Sequence, residues 1–230
     1  MKTIGLVGGT SWASTIDYYR IINEETNNRR GGLSFAKIVL YSLDYGEIHA
    51  LSLKEDVDGI CSLLIGAARN LESIGAGCVL LCANTMHMHA DAVQNAVGVP
   101  LVHIAVATAI EIKKKKMTTV GLLGTKLTME LDFYKKRLLE EGITAIVPSL
   151  EDRNFIHHAI DTELVKSLVL PETRSRFLKI IDALRAQGVE GVILGCTEIP
   201  LLIKQSDTDL PVFDTTRIHS LAAVDFALSA

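Results

Sequence analysis

The sequence predicts an α/β protein: two pseudosymmetric lobes with mostly parallel sheets and a functional site in the cleft between them. Three observations predict it. Short apolar runs alternate with helical patterns along the whole chain, the order that gives parallel sheets covered by helices. The 230 residues are 48% hydrophobic, enough for two cores in lobes of roughly 100 residues each. Two segments also echo each other. Thr3-Ile-Gly-Leu-Val-Gly-Gly-Thr10 leads to Gly77-Cys-Val-Leu-Leu-Cys82-Ala-Asn-Thr85, and Thr119-Val-Gly-Leu-Leu-Gly-Thr125 leads to Gly191-Val-Ile-Leu-Gly-Cys196-Thr-Glu198. Gly5 and Cys82 are 77 positions apart, Gly121 and Cys196 75. Val99-Pro-Leu-Val-His-Ile104 and Leu210-Pro-Val-Phe-Asp-Thr215 continue the echo, each as a strand feeding a helix. One unit is used twice.

Taken in order, residues 3–7 form a short buried strand that breaks at Gly8-Gly9. Ser14 with Asp17 three positions on reads as an N-cap, opening a helix through about Glu25. Residues 35–43 alternate enough for a second strand, and 44–56 have the polar, irregular composition of a loop. Val57, Ile60, Leu63, Leu64, Ala67, Ala68, Leu71 and Ile74 keep helical spacing until Gly75 stops the helix. Residues 78–81 have no polar side, as suits a central parallel strand. The second half repeats this order with a strand at 120–123, a helix at 128–141 ended by Gly142, and a strand at 144–147. Helices follow at 153–167 and 172–187, then a strand at 192–194 before Cys196. Because 210–230 repeat the segment that ends the first half, the C-terminus is expected to pack back on the first lobe. The lobes are then residues 1–98 with 208–230, and 99–207.

Composition removes several function classes. There are 23 basic and 27 acidic residues, for a formal charge of −4, so neither a nucleic-acid groove nor a polybasic membrane anchor is indicated. The lysine run 113–116 suits the C-terminal end of a helix, where cations complement the macrodipole. No signal-peptide pattern opens the chain and no apolar run reaches the roughly 18 residues of a membrane span. The expected location is cytoplasmic, so Cys61, Cys78, Cys82 and Cys196 are expected as free thiols.

Cys82 and Cys196 each end a buried strand just before a turn or helix, where open α/β sheets place ligands and helix N-termini offer free amide donors. Such a terminus is expected to lower a thiol pKa. An unpaired cysteine is often only a small core residue, but two at matched positions of a duplicated unit favour chemistry. If the copies face each other across a pseudo-twofold axis, the thiols meet one cleft from opposite sides. That is the requirement of two-base proton transfer at carbon, one group removing a proton and the other returning one on the opposite face. Cys61 and Cys78 have no such partner and read as packing. Asn84, Thr85 and Thr197 are expected to cap the following helices or bind a carboxylate. The glycine turn at 5–10 lacks both the Gly-x-Gly-x-x-Gly order and a Gly-Lys-Ser/Thr, so it suits a small carboxylate better than a nucleotide phosphate. His87 and His89 stand two apart on the segment after Cys82 and point in different directions. They read as surface or helix-cap residues rather than metal ligands.

At Cys82-Ala-Asn-Thr85 and Gly195-Cys-Thr-Glu-Ile-Pro200, with Gly8-Gly9-Thr-Ser-Trp12 and Phe213-Asp-Thr215, the chain closely resembles the aspartate/glutamate racemase family, essentially from end to end. The resemblance implies cofactor-independent racemisation of an acidic amino acid, two pseudosymmetric α/β domains and a homodimer. It places the catalytic cysteines on Cys82 and Cys196 and substrate-binding groups on Thr10, Asn84, Thr85, Thr125 and Thr197. A substrate carboxylate is placed on Lys166. Related glutamate racemases open their first turn with Asp-Ser and follow the second cysteine with Thr-His, where this chain has Gly8-Gly9-Thr10 and Thr197-Glu198. Aspartate is therefore expected before glutamate. The segment after Asp44 carries no arginine for a side-chain carboxylate, which leaves open a broad-specificity amino-acid racemase. Two further alternatives are a maleate isomerase-like enzyme with covalent cysteine catalysis and a non-catalytic binder of small carboxylates.

Overall fold

The computed structural model describes residues 1–229, which divide into two compact units. The first contains β1 (Ile4–Gly8), α1 (Trp12–Arg30), β2 (Ile38–Ser42), α2 (Tyr45–Leu53), α3 (Val57–Ser73), β3 (Cys78–Leu81), a 3-10 turn (Thr85–His89) and α4 (Ala90–Ala96). Its parallel sheet has the order β2-β1-β3, and Leu101 adds a bridge to Val79 on the open side of β3. The second unit contains α5 (Ile104–Lys114), β4 (Thr119–Gly124), α6 (Lys126–Glu130), α7 (Asp132–Glu140), β5 (Thr144–Ile146) and α8 (Leu150–Thr162). A 3-10 turn (Leu164–Lys166), α9 (Pro171–Arg185), β6 (Gly191–Gly195), α10 (Ile199–Leu202) and β7 (Val212–Asp214) complete it. Its order, β5-β4-β6-β7, is again parallel throughout and repeats that of the first sheet with β7 in the place of Leu101. The fold is thus one α/β sheet plan used twice.

The inner strands explain why the apolar runs were readable. Every residue of β1, β3 and β6 is buried, as it must be where helices cover both faces of a parallel sheet. The ends of the repeats behave differently from their middles. The chain passes from the first unit to the second at His103–Ile104 and returns at Ile218–His219, inside α11 (Thr215–Leu228). Accordingly Ile104, Ala105, Ala109 and Ile112 of α5 lie in one core with Val120, Leu122, Tyr134 and Ile193 of the second unit. Ala223, Val224 and Ala227 of α11 lie in one core with Ile4, Leu6, Tyr18 and Leu80 of the first. Burial of Ile104 and Ile112 alone is worth about 3–6 kcal/mol, so α5 is a core element and not a linker.

Four local expectations are corrected. The first helix starts at Trp12, because Ser11 rather than Ser14 is the N-cap, its hydroxyl accepting from the Ser14 N–H at 3.4 Å. Residues 45–53 are helical where a loop is expected. Asp44 caps α2 by accepting from the Gly46 N–H at 2.8 Å, yet only Ile48 is buried, so there was no apolar periodicity to read. The helix expected over 128–141 is two helices parted at Leu131, whose ψ of 159° is extended. The helix expected over 153–167 ends at Thr162, and Lys166 stands in the 3-10 turn after it.

At the centre of the first unit lies a polar chain absent from the sequence reading. The Val102 carbonyl can only accept, so His219 Nε2–H donates to it (2.6 Å), and the remaining Nδ1 accepts from the Tyr18 hydroxyl (2.8 Å). The same logic makes His87 Nδ1–H the donor to the Ala83 carbonyl at 2.9 Å. The His87 ring lies 5.4 Å from that of His219 and 4.8 Å from that of His103. His87 and His89 are both buried, not the surface or cap residues expected. Burial pushes the His87 and His219 imidazoles down from 6.5 to about 3, helped by His103 for the former and His87 for the latter.

Candidate active site

In the first unit the ends of the adjacent strands β1 and β3 carry the expected groups. β1 runs into Gly9, whose φ of +87° and whose approach to Leu43 require glycine; a Cβ there would meet the Leu43 carbonyl oxygen at 2.1 Å. The Gly9 N–H donates to Thr15 Oγ1 at 3.0 Å. Thr10 follows, its Oγ1 buried and without a hydrogen-bond partner among the described residues. One strand over, the Cys82 N–H donates to the Val7 carbonyl at 2.9 Å, extending the ladder past β3. The Cys82 side chain is buried beside Leu80, Leu6 and Val224. Asn84 is buried and Thr85 partly so at the start of the 3-10 turn, with no side-chain cap from Asn84. The expected capping role of Asn84 is therefore not its role here.

In the second unit the inner strands β4 and β6, also neighbours, carry Thr125, Cys196 and Thr197 just past their carboxyl ends. Thr125 is the N-cap of α6, its Oγ1 accepting from the Thr128 N–H at 3.3 Å. Cys196 is buried, and its Sγ–H donates to Glu198 Oε2 at 3.0 Å. Thr197 Oγ1–H donates to the same oxygen at 2.7 Å. Glu198 is itself only 8% exposed. The Leu164 end of the 3-10 turn after α8 joins the core cluster that holds Cys196, while Lys166 at its other end is exposed. Cys78, in β3, is buried in the core with Ile4 and Leu6, and burial pushes its thiol up to about 11, whereas Cys61, in α3, is only partly buried.

Two expectations about the thiols fail. The first is the lowered pKa. Burial pushes the Cys82 thiol upward, and burial and then the Glu198 charge push Cys196 well upward. The Glu198 N–H at the start of α10 does lower Cys196 but is outweighed by burial, and the elements that follow the two thiols, a five-residue 3-10 turn and a four-residue helix, are too short for a strong terminal dipole. The second is the matching of their positions. Gly5 pairs with Val79 and the equivalent Gly121 pairs with Val192, so Cys82 lies three residues past its reference pair and Cys196 four. A slip of one residue exchanges the faces of a strand. Cys82 continues the face of Cys78 and Leu80, whereas Cys196 continues that of Val192 and Leu194. The cysteines are equivalent by motif but not by sheet position.

Among the described residues no three His, Cys, Asp or Glu side chains gather as metal donors, and no helix is long and apolar enough to cross a membrane. The model of the Asp/Glu/hydantoin racemase family matches residues 7–223. Among solved structures, a candidate Asp/Glu racemase from Yersinia pestis is 47% identical with a TM-score of 0.95, and the match covers 100% of both chains. An aspartate racemase homologue from Pyrococcus horikoshii OT3 is 37% identical with a TM-score of 0.89, again over 100% of both. The broad specificity amino-acid racemase RacX of Bacillus subtilis (strain 168) is 24% identical over 178 residues, 76% of this chain and 75% of RacX.

Proposed function

This chain belongs to the Asp/Glu/hydantoin racemase family and is an isomerase, and from that premise we propose that it interconverts the L- and D-forms of a short acidic amino acid. Aspartate comes before glutamate, and the reaction runs without a cofactor. The observation that carries the reading is a buried thiol at the carboxyl end of the strand beside β1 and another beside β4, in two sheets of the same strand order. In the forward direction the Cys82 thiolate takes the α-proton and becomes a thiol. The Cys196 thiol gives its proton to the opposite face of the carbanion and becomes a thiolate. The reverse turnover exchanges the roles, so protons and charge balance. Since burial raises both thiols, a thiolate needs a counter-charge, and the substrate's α-ammonium supplies one on binding. The charge that develops on the α-carboxylate calls for fixed donors in a site closed to water. Backbone amides at the strand tips and the side chains of Thr10, Asn84 and Thr85 are assigned to that task, the buried Thr10 hydroxyl, without a partner among the described residues, supporting its place; Thr125 and Thr197, whose hydroxyls serve the α6 cap and Glu198, are assigned to the substrate α-ammonium through oxygen lone pairs. Lys166, exposed at the end of its turn, is assigned to the distal carboxylate.

A second reading has two observations in its favour. α2, the segment after Asp44, carries no arginine, and RacX is described as broad in specificity, so turnover of neutral amino acids belongs in any assay. A homodimer and a cytoplasmic location complete the proposal. The deciding experiment incubates the purified protein with single L-amino acids in deuterium oxide and follows the α-proton by NMR together with optical rotation. Loss of the α-proton signal of aspartate with concurrent loss of rotation is the expected result. Loss of rotation without exchange, exchange without racemisation, or neither would end the two-base reading.

A further inference from the structure

We infer that Glu198 holds Cys196 in its protonated form, so that in the free enzyme Cys196 is the acid and Cys82 is the thiol that ionises. The inference rests on the assignment of both cysteines to proton transfer and deepens it. Glu198 Oε2 receives two hydrogen bonds, from Cys196 Sγ at 3.0 Å and from Thr197 Oγ1 at 2.7 Å. An ionised carboxylate can only accept, and one this buried needs its donors. Ionising Cys196 would remove one of the two donors and set two negative charges 3.0 Å apart. The other charge acting on Cys196 is Asp161 of α8, also acidic. Among the described residues no carboxylate acts on Cys82; burial opposes its ionisation. The one-residue offset between the two sheets leaves the thiols in different surroundings, so nothing in the duplication restores their equality.

The kinetic consequence is constrained. L- and D-forms are equally stable, so kcat/KM must be the same for both enantiomers whatever Glu198 does. Glu198 acts instead on the split between kcat and KM. The enantiomer whose α-proton faces Cys82 needs the more readily formed of the two singly ionised states, while its mirror image needs the scarcer one with Cys196 ionised and shows a KM raised by that scarcity. Glu198 is a positioning residue in this sense: it acts through Cys196.

Alkylation by iodoacetamide tests this without turnover. Modification of Cys82 and Cys196 is followed by peptide mass spectrometry across pH, using the midpoint of each profile so that access cancels. In the wild type Cys82 is expected to titrate before Cys196. Glu198→Gln, close to isosteric, should lower the Cys196 midpoint by a pH unit or more, about a tenfold gain in its reactivity below that midpoint, and leave Cys82 where it was. Glu198→Asp keeps the charge and should keep the wild-type order. Cys196 titrating first in the wild type, or a Cys196 midpoint unmoved or raised by Glu198→Gln, overturns the inference. The wild-type order alone decides if a variant does not fold. Failure of the deuterium-exchange experiment would remove the racemase reading while leaving the measured order of the thiols intact, so the two failures are separate.

Discussion

Mild acid should unfold the first unit by way of the imidazoles at its centre. His87 and His219 stay neutral in the folded chain down to about pH 3 but take a proton near pH 6.5 once unfolded. Between those values the unfolded state therefore binds more protons, and stability rises with pH. Their contribution is fully present above pH 6.5 and is lost as pH falls toward 3. At pH 5 each imidazole costs about 2 kcal/mol relative to pH 8, giving a combined loss of about 4 kcal/mol at most and a slope approaching two protons, or about 2.7 kcal/mol per pH unit. That is a large share of the 5–15 kcal/mol of a typical fold. Urea midpoints measured by circular dichroism at pH 8, 7, 6 and 5, at constant ionic strength, read the slope directly. His219→Gln can still donate to Val102 and accept from Tyr18 but cannot titrate. It should be less stable than wild type at pH 8 by about 1 kcal/mol or more, yet lose about half as much between pH 7 and 5. A flat wild-type profile, or the same slope in wild type and variant, would refute the reasoning.

Cys82→Ala and Cys196→Ala should each abolish racemisation, and the double variant should be hardly worse than either, since members of one proton relay act as a unit; optical rotation of L-aspartate reads the result. Cys61→Ala and Cys78→Ala should keep the chemistry, and a large loss of kcat in either would point to a thiol wrongly left out. Lys166→Ala should lower kcat/KM for aspartate by about tenfold to a hundredfold while affecting a neutral amino acid much less. Equal losses on both substrates would assign Lys166 to the α-carboxylate or to folding, and no loss on either would leave it a solvated turn residue.

The elements readable in the sequence are those whose burial is total. β1, β3 and β6 are covered on both faces, so nothing polar survives in them to blur the run. α2 was unreadable for the opposite reason: a helix that buries only Ile48 carries no stripe. The cysteines themselves were visible, but the offset between them was not. Motif comparison lays Gly77 on Gly191, whereas hydrogen bonding lays Val79 on Val192, and no residue type announces the difference. Glu198 was visible only as a departure from Thr-His; its hold on Cys196 is a fact of geometry. His219 follows the apolar Ile218 and precedes Ser220 and Leu221 on a helix, a signal that a polar group was being carried inward. Its partners Tyr18 and Val102 lie 201 and 117 positions away.

The placement of α5 and α11 bears on how such a chain can have arisen. Each repeat ends in a helix that fills the core of the other unit, α5 under Val120 and Leu122, α11 under Ile4 and Leu6. A single repeat folded on itself would lack the helix its own sheet needs, with Tyr18 or Tyr134 and the aliphatic residues around them left open to water. Two separate copies that traded their last helices would each be complete. A swapped pair of identical chains is therefore the self-sufficient form of the half-length protein, and joining two genes end to end would tether that pair while keeping each exchanged helix in the core it fills. Once tethered, the copies were free to diverge, one thiol gaining a carboxylate neighbour and the other an apolar nest.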